Sequence, residues 1–338
     1  MLRAKSASVL AASLLPLLGA ATLGAAPPTP DPSPGAPARR LMAVTIDDLP
    51  APVSGVPDNS PAALRALTER LLASLARHAV PAVGFVNEGK LFLEGEAAAA
   101  AAQRTDLLRV WLDAGLELGN HTYSHRSLNR LPLEEFETDV LRGEAVTRPL
   151  MRERGRELRY FRHPFLQVGL ELDKRRAFED FLKRHAYTVA PVTIDDDDYV
   201  FAAVYADALR RGDAETARRV AEAYPIYMES VFAFVEGVSR GLFGREIPQV
   251  LLIHTNALNA DHFEAVARIA ERRGYAFVPL AAALADPAYA TPDDYVGAWG
   301  ISWLHHFEIT AGRRRSPSPD PPAWVQQAYD RLTRPGGS

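Results

Sequence analysis

The stretch LMAVTIDD, residues 41–48, is a short apolar run that ends in two adjacent carboxylates. Such a run predicts a buried β-strand over residues 41–46. Six further apolar runs, separated by helical patterns, predict strands over residues 82–86, 116–119, 159–161, 187–194, 250–253 and 276–279. Seven strands that alternate with helices predict an α/β fold with a parallel sheet.

Helical patterns occupy the segments between these strands. The dipeptide Ser60-Pro61 is typical of a helix start, with serine as the N-cap and proline in the first turn. The predicted helices cover residues 60–77, 96–112, 133–154, 174–184, two segments within 199–243, and 261–273. We expect the sheet to close into a single-domain barrel, and an open doubly wound sheet is the alternative. No glycine fingerprint for a dinucleotide follows the first strand, which disfavours an open cofactor-binding sheet.

The composition excludes several classes of function. The 338 residues contain 38 Lys and Arg against 42 Asp and Glu, a net charge of −4, which argues against nucleic acid as a partner. There is no cysteine, so disulfides, thiolate ligands and a cysteine nucleophile are excluded. Any metal site must therefore use His, Asp, Glu or backbone oxygen.

The N-terminal segment has the form of an export signal. Arg3 and Lys5 precede an apolar run over residues 9–23, and small residues follow it. A signal peptide over residues 1–26 and a flexible leader over 27–40 are predicted, with a periplasmic or secreted location. A membrane anchor is the alternative, but the run is shorter than the roughly 20 residues of a spanning helix, so we expect no stable membrane insertion after cleavage.

The rest of the chain divides into one domain and a tail. Residues 41–311 form the predicted barrel domain. This domain includes a predicted helical segment over residues 199–246. Residues 312–338 follow the domain as a predicted tail with a short helix over 323–331.

Polar clusters follow the ends of five predicted strands. In a parallel barrel these ends meet at one face, where active sites are built. The clusters are Asp47-Asp48, Asn120-His121 with His125, Arg162, the run Asp195 to Asp198, and His254.

The histidines and the first carboxylate pair could form a metal site. His121 and His125 are four residues apart, so both imidazoles can reach one ion, and one carboxylate would complete three ligands with an open position. Asp47 and Asp48 should point to opposite sides of an extended strand, so one could bind metal while the other accepts a proton. The alternative to a metal site is that the two histidines lie at the surface and that Asp47 and Asp48 are solvated acids at the start of a loop.

Five ordered segments resemble the polysaccharide deacetylases, carbohydrate esterase family 4. They are TIDD (45–48), NHTYSH (120–125), RHPF (162–165), DDDDY (195–199) and LLIH (251–254). The resemblance implies a distorted (β/α)7 barrel. It also implies a metal-dependent hydrolase that removes N-acetyl or O-acetyl groups from a carbohydrate polymer, with metal-bound water attacking the acyl carbon.

The resemblance also implies a role for each matching residue. Asp47 would be the general base, with Arg162 holding it ionised. Asp48, His121 and His125 would bind the metal. This donor set suits Zn²⁺, while Co²⁺, Ni²⁺ and Mn²⁺ remain alternatives.

The remaining implied roles concern the leaving group and the oxyanion. His254 would protonate the leaving amine, and Asp198 would pair with His254 and favour its imidazolium form. The backbone N–H of Phe165 would help to bind the oxyanion.

Four features depart from the family pattern. Leu49-Pro50 replaces the glycine after the Asp pair, and Tyr199 replaces a tryptophan at the edge of the substrate site. Asn256 stands where an apolar residue would line the pocket for the acyl methyl group. The segment 199–246 is longer than the family pattern. We expect these departures to affect the choice of substrate and to leave the reaction class unchanged.

Two other functions remain as alternatives. One is a hydrolase of the same fold that acts on a small amide or cyclic imide, which the predicted export signal disfavours. The other is a catalytically dead carbohydrate-binding protein, which the retention of all five metal-binding and acid–base residues disfavours.

Several other residues have two possible interpretations. Aromatic residues near the last strand could stack on sugars or pack in the core: Tyr295, Trp299 and Trp303. His305-His306 are expected at the surface, Asn87-Glu88 in a turn, and Asp196 and Asp197 in a solvated turn. A calcium loop at residues 195–198 lacks the required ligand spacing.

Overall fold

A computed structural model describes residues 40–52 and 54–334. The predicted signal peptide and all but the last residue of the predicted leader lie outside these residues. Within them there are seven strands: β1 (Arg40–Leu49), β2 (Val83–Val86), β3 (Glu117–Asn120), β4 (Tyr160–Phe161), β5 (Thr188–Val189), β6 (Gln249–His254) and β7 (Tyr275–Phe277).

Helices follow the strands on the outside of the sheet. Those in the described part of the chain are α1 (Pro61–Arg77), α2 (Ala98–Asp113), α3 (Leu133–Arg142), α4 (Thr147–Arg152), α5 (Leu172–Arg184), α6 (Asp198–Arg210), α7 (Ala214–Phe243), α8 (Ala257–Arg272), α9 (Leu280–Leu284), α10 (Trp303–Thr310) and α11 (Ala323–Thr333). Ser60 caps α1 by accepting a hydrogen bond from the backbone N–H of Ala63, as predicted. No helix among residues 40–52 and 54–334 is long and apolar enough to span a membrane.

The sheet is parallel throughout and curled. Its strand order is β5-β4-β3-β2-β1-β6, and β7 pairs with the start of β1. Beyond β5, Ile194 forms a parallel bridge with Leu251 in β6, so the two ends of the sheet meet. The predicted distorted (β/α)7 barrel is therefore confirmed.

Alternation along β1 separates the helix-facing core from the barrel interior. Met42, Val44 and Ile46 are buried in the main apolar cluster together with the α1 leucines. The intervening side chains, which include Thr45 and Asp47, point to the other face, because successive strand residues alternate. Burial of each large aliphatic side chain stabilises the fold by about 1.5–3 kcal/mol. The same pattern thus builds the core and directs Asp47 into the barrel.

Strand β5 is much shorter than the predicted strand over residues 187–194. Pro191 follows it and has no N–H to donate to a neighbouring strand. The chain then changes partners, because Thr193 and Ile194 both donate backbone hydrogen bonds to Val250 of β6.

One predicted helix, over residues 133–154, is two helices, α3 and α4. They are separated at Gly143, where an added Cβ would lie 2.6 Å from the carbonyl carbon of Thr122. The break lets the α3 end approach the histidine-bearing segment closely.

The long segment before β6 contains the two predicted helices, α6 and α7. Asp213 caps α7 by accepting a hydrogen bond from the N–H of Thr216. The predicted C-terminal helix is α11, and it packs on α6 with Val325 buried.

Candidate active site

Three predicted ligands meet where β1 and β3 end. One ligand atom from each of Asp48, His121 and His125 lies within 4.8 Å of the other two. The Nε2 atoms of His121 and His125 are 3.9 and 3.6 Å from Oδ1 of Asp48. The predicted clustering of these three residues is therefore present in the structure.

The protonation of the two imidazoles suits metal binding. Nδ1 of His121 lies 2.9 Å from the carbonyl oxygen of Arg162, which can only accept, so Nδ1 donates and Nε2 keeps its lone pair. Burial lowers the pKa of His121, and it lowers the pKa of His125 to about 4. Two neutral imidazoles and one carboxylate form a donor set that fits a divalent cation such as zinc.

Backbone strain is concentrated at this site. Among the described residues, eight non-glycine residues have positive φ, and three of them are Asp48 at 73°, His125 at 54° and Phe165 at 57°. We expected Asp47 and Asp48 to diverge on extended backbone. The positive φ of Asp48 changes this, and both carboxylates lie within 4 Å of His121. Each left-handed residue costs roughly 1–2 kcal/mol, which the surrounding contacts must offset.

The His loop, residues 120–125, is held from both sides. Asn120 accepts a hydrogen bond from the N–H of Thr122 through its side chain. The N–H and hydroxyl of Ser124 donate to Asp139 of α3 at 3.1 and 2.8 Å. Together with the close approach of Gly143, these bonds fix the loop that carries both histidines.

Asp47 lies beside the ligand cluster and is buried. Its Oδ2 is 3.6 Å from His121 Nε2, and its Oδ1 is 3.8 Å from Arg162 Nε. Burial raises the pKa of Asp47 to about 6, although Arg162 and then His254 act to lower it. Arg162 thus acts in the predicted direction, but burial outweighs it.

Arg162 is fixed inside the barrel. Its Nη2 donates to Oγ1 of Thr45 at 2.6 Å, and its guanidinium lies 4.9 Å from the ring centroid of Phe85. Thr45 in turn donates to the carbonyl of Leu251 at 2.8 Å. These contacts link β4, β1 and β6 behind Asp47.

His254 stands directly opposite Asp47 in the pairing of β6 with β1. Its Nδ1 is 2.6 Å from Oδ1 of Asp198, and its backbone N–H donates to Oδ2 at 2.9 Å. Burial would lower the pKa of His254, but the Asp198 charge and hydrogen bond raise it to about 10. Asp198 and His254 thus form a close pair in which the carboxylate favours the protonated imidazole.

Two asparagines complete the surroundings of Asp198. Asn256 and Asn259 each donate from Nδ2 to Oδ2 of Asp198, at 2.8 and 2.6 Å. Asn256 also caps α8 and is buried. We expected Asn256 in the acyl pocket, but both its polar atoms are used to hold Asp198 and the helix start. Asn259 was not identified from the sequence.

Exposed aromatic side chains border the site. Phe165 is 57% exposed, and its ring centroid lies 4.5 Å from that of His125. Tyr199, in the first turn of α6, is 43% exposed, with its ring 6.4 Å from the His254 ring.

A third exposed aromatic, Trp299, is presented by a loop attached to this border. Asn129 and Gln167 donate to the carbonyls of Gly297 and Ala298 at 2.9 and 2.8 Å. Trp299 itself is 76% exposed, whereas Tyr295 and Trp303 are buried in the core. Only Trp299 among these three is therefore available to a ligand.

Two predictions about polar residues are wrong. His305 and His306 are buried rather than at the surface, and His306 Nδ1 lies 2.9 Å from Oδ2 of Asp293. Asp196 is also buried, and it accepts a hydrogen bond from Tyr224 at 3.0 Å. The apolar periodicity around these residues did not show which polar side chains had partners inside the fold.

Lys90 is the main site residue that sequence analysis missed. Its Nζ lies 2.8 Å from Oδ1 of Asp48. Only the position of Lys90 in the sequence could have identified it, because Lys90 follows the end of β2 on the same face as the other polar clusters. Asn87 and Glu88, predicted as a turn, support neighbouring backbone: Asn87 donates to the His121 carbonyl, and Glu88 accepts from the N–H groups of Val146 and Thr147.

The fold and this cluster define a barrel whose strand ends carry a candidate metal site, with Asp47 and His254 beside it. Residues 35–180 match the family model described as polysaccharide deacetylase. Over this part of the chain, the match confirms the resemblance to the polysaccharide deacetylases that the motifs predicted. It includes three of the five motifs and ends before Asp198 and His254.

Similar solved structures include members of carbohydrate esterase family 4. A family 4 carbohydrate esterase from Streptomyces lividans in complex with acetate is 19% identical over 70% of this chain and 90% of its own, with a TM-score of 0.43. A polysaccharide deacetylase from Bacillus cereus is 17% identical over 71% and 92%, with a TM-score of 0.45. A family 4 pseudoenzyme from Bacillus anthracis is 13% identical over 73% and 66%, with a TM-score of 0.45. No curated protein sequence matches the chain.

Proposed function

We propose that this protein is a metal-dependent deacetylase that hydrolyses N-acetyl, or alternatively O-acetyl, groups on a carbohydrate polymer. Asp48, His121 and His125 would hold the metal. Zn²⁺ is the first choice for this donor set, with Co²⁺, Ni²⁺ or Mn²⁺ as alternatives.

The observation that carries the proposal is the placement of an acid and a base on neighbouring strands beside the triad. Asp47 and His254 are paired residues of β1 and β6. Asp47 lies 3.6 Å from a triad imidazole, and His254 is held as a cation by Asp198. Amide hydrolysis needs both a group that accepts a proton from water and one that donates a proton to nitrogen.

Each residue would then have a separate task. A divalent cation bound at the triad supplies Lewis acidity, which acidifies water and polarises a carbonyl. Asp47 would accept the proton of the attacking water. His254 would donate its Nε2 proton to the leaving nitrogen, since its Nδ1 is engaged by Asp198. The backbone N–H of Phe165 would stabilise the oxyanion.

The border of the site supports an extended carbohydrate substrate. Phe165, Tyr199 and Trp299 expose aromatic surface around it. Aromatic rings offer flat apolar faces on which sugar rings can stack, and such contacts are most useful for a ligand longer than one sugar unit.

The proposed location is periplasmic or extracellular. It rests on the sequence pattern of residues 1–26. N-terminal sequencing of protein from the native host should find a mature start between residues 22 and 28. Intact Met1 on cytoplasmic protein would contradict export.

The enzymatic test uses chelator-treated protein reloaded with one metal at a time. Released acetate should be measured from acetylated chito-oligomers, peptidoglycan fragments and an O-acetylated polysaccharide, alongside a panel of small amides and cyclic imides. Acetate release from a carbohydrate only after reloading supports the proposal. Turnover of the small amides alone would favour the same-fold amidohydrolase, and polymer binding without any turnover would favour a carbohydrate-binding protein.

A further inference from the structure

The side chain of Lys90 lies inside the candidate metal site. Its Nζ is 2.8 Å from Oδ1 of Asp48, the same oxygen that lies 3.6 and 3.9 Å from the Nε2 atoms of His125 and His121. The ammonium therefore contacts the carboxylate oxygen of Asp48 that lies nearest to the two histidine ligands.

The backbone of the segment that carries Lys90 is held in place by contacts with two neighbouring elements. The preceding N–H, of Gly89, donates to the carbonyl of Tyr123 at 2.9 Å, and a Cβ on Gly89 would lie 2.5 Å from that oxygen. Glu88 is anchored to the start of α4 through Val146 and Thr147. The Lys90 segment is thus attached to the His loop on one side and to α4 on the other.

The ammonium itself is held more loosely than its backbone. Among the described residues, neither Lys90 Nζ nor Asp48 Oδ1 has a well-aligned hydrogen-bond partner, so their contact is one of charge and proximity. The Lys90 side chain is 17% exposed along its length and has four rotatable bonds, but Nζ itself is buried, so moving the ammonium out of the site requires a change of rotamer.

We propose that Lys90 is a built-in competitor for the metal. Its ammonium neutralises Asp48 and keeps the ligand oxygen in place when no metal is bound. A divalent cation must displace that ammonium or bind beside a like charge, and either cost lowers the metal affinity. This inference deepens the proposed function and rests on it for the identity of the ligands.

The expected effect is a gain of metal affinity when the charge is removed. Two like charges a few ångströms apart at a partly buried site interact strongly enough to change an affinity by ten-fold or more. Lys90→Met, which keeps the length and apolar stem of the side chain, should bind Zn²⁺ on the order of 10- to 100-fold more tightly than wild type.

The experiment is a competition titration of metal-free protein with Zn²⁺ against a chromophoric chelator. Lys90→Gln provides a second charge-removing variant in case Lys90→Met folds poorly, and circular dichroism reports folding for each. Lys183→Met is the matched control, because Lys183 is exposed and pairs with Asp180 far from the ligands. It should bind Zn²⁺ like wild type.

The outcomes separate this inference from the proposed function. If wild type binds Zn²⁺ and His121→Ala does not, the ligand set stands, and unchanged or weaker binding in both Lys90 variants overturns the inference. Binding by the Lys90 variants but not by wild type supports it. If no variant binds Zn²⁺, the metal site itself is refuted, and the inference with it.

Discussion

Replacing Asp198 with asparagine removes the anion that lies 2.6 Å from Nδ1 of His254. This anion raises the pKa of His254 to about 10, against the lowering effect of burial. Without it, the pKa should fall to the ordinary value of 6.5 or below. The proposed acid role of His254 requires its proton, so the alkaline limb of activity should move to lower pH by about 3.5 units or more.

The size of the effect depends on the pH of the assay. At pH 8.5 a group with a pKa of 10 is about 97% protonated, whereas one with a pKa of 6.5 is about 1% protonated. Asp198→Asn should therefore lower kcat/KM about 100-fold at pH 8.5. At pH 6 most of the imidazole is protonated in both proteins, so the loss should be within a few-fold. Acetate release measured from pH 5.5 to 10.5 provides the two profiles.

The neighbouring residue offers a matched control. Asp197 has a φ of 49°, which asparagine tolerates well, and its side chain contacts Tyr227 rather than His254. Asp197→Asn should leave the alkaline limb in place. If the limb also stays in place in Asp198→Asn, Asp198 is not the partner of His254, and Asp195 becomes the next candidate.

Three further predictions concern metal, substrate and fold. His121→Ala should lose bound metal and activity together, because one ligand nitrogen is gone, and full occupancy by elemental analysis would refute the ligand set. Trp299→Ala should raise KM about ten-fold for a polymer but not for a monomeric substrate, with an unchanged melting temperature because the ring is exposed; equal changes for both substrates would contradict a stacking role. Gly143→Ala should lower the free energy of unfolding in urea by about 1–3 kcal/mol, because its Cβ would lie 2.6 Å from Thr122. Gly237→Ala, in α7 with nothing within 4 Å, should instead stabilise by up to about 1 kcal/mol, and a similar loss in both variants would argue against a clash at Gly143.

Most of the barrel could be predicted because its strands are short apolar runs with polar ends. The differences arose where one residue changes the backbone rather than the hydrophobic pattern. Pro191 ends β5 early because it has no N–H to donate, and Gly143 separates α3 from α4 because the His loop passes too close for a side chain. Hydrophobic periodicity does not report either constraint.

The site was predictable in its motifs but not in its supporting contacts. Asp48, His121 and His125 carry a recognisable spacing, whereas Lys90 is a single residue after a strand and has no pattern around it. Asn259 likewise could be assigned to Asp198 only when the two side chains were located together. Buried partners of this kind depend on side-chain packing between distant segments.

The pairing of Asp47 with His254 across β1 and β6 has a consequence for variation in this chain. The spacing between the proposed base and the proposed acid is set by backbone hydrogen bonds between two adjacent strands, about 4.8 Å apart. A one-residue insertion or deletion within either strand would turn the functional side chain away from the barrel interior. Changes of length in the connection between α6 and α7 leave that register intact. Strand register therefore constrains the proposed reaction chemistry, whereas the choice of substrate is open to change in the surrounding loops. The two properties can diverge independently.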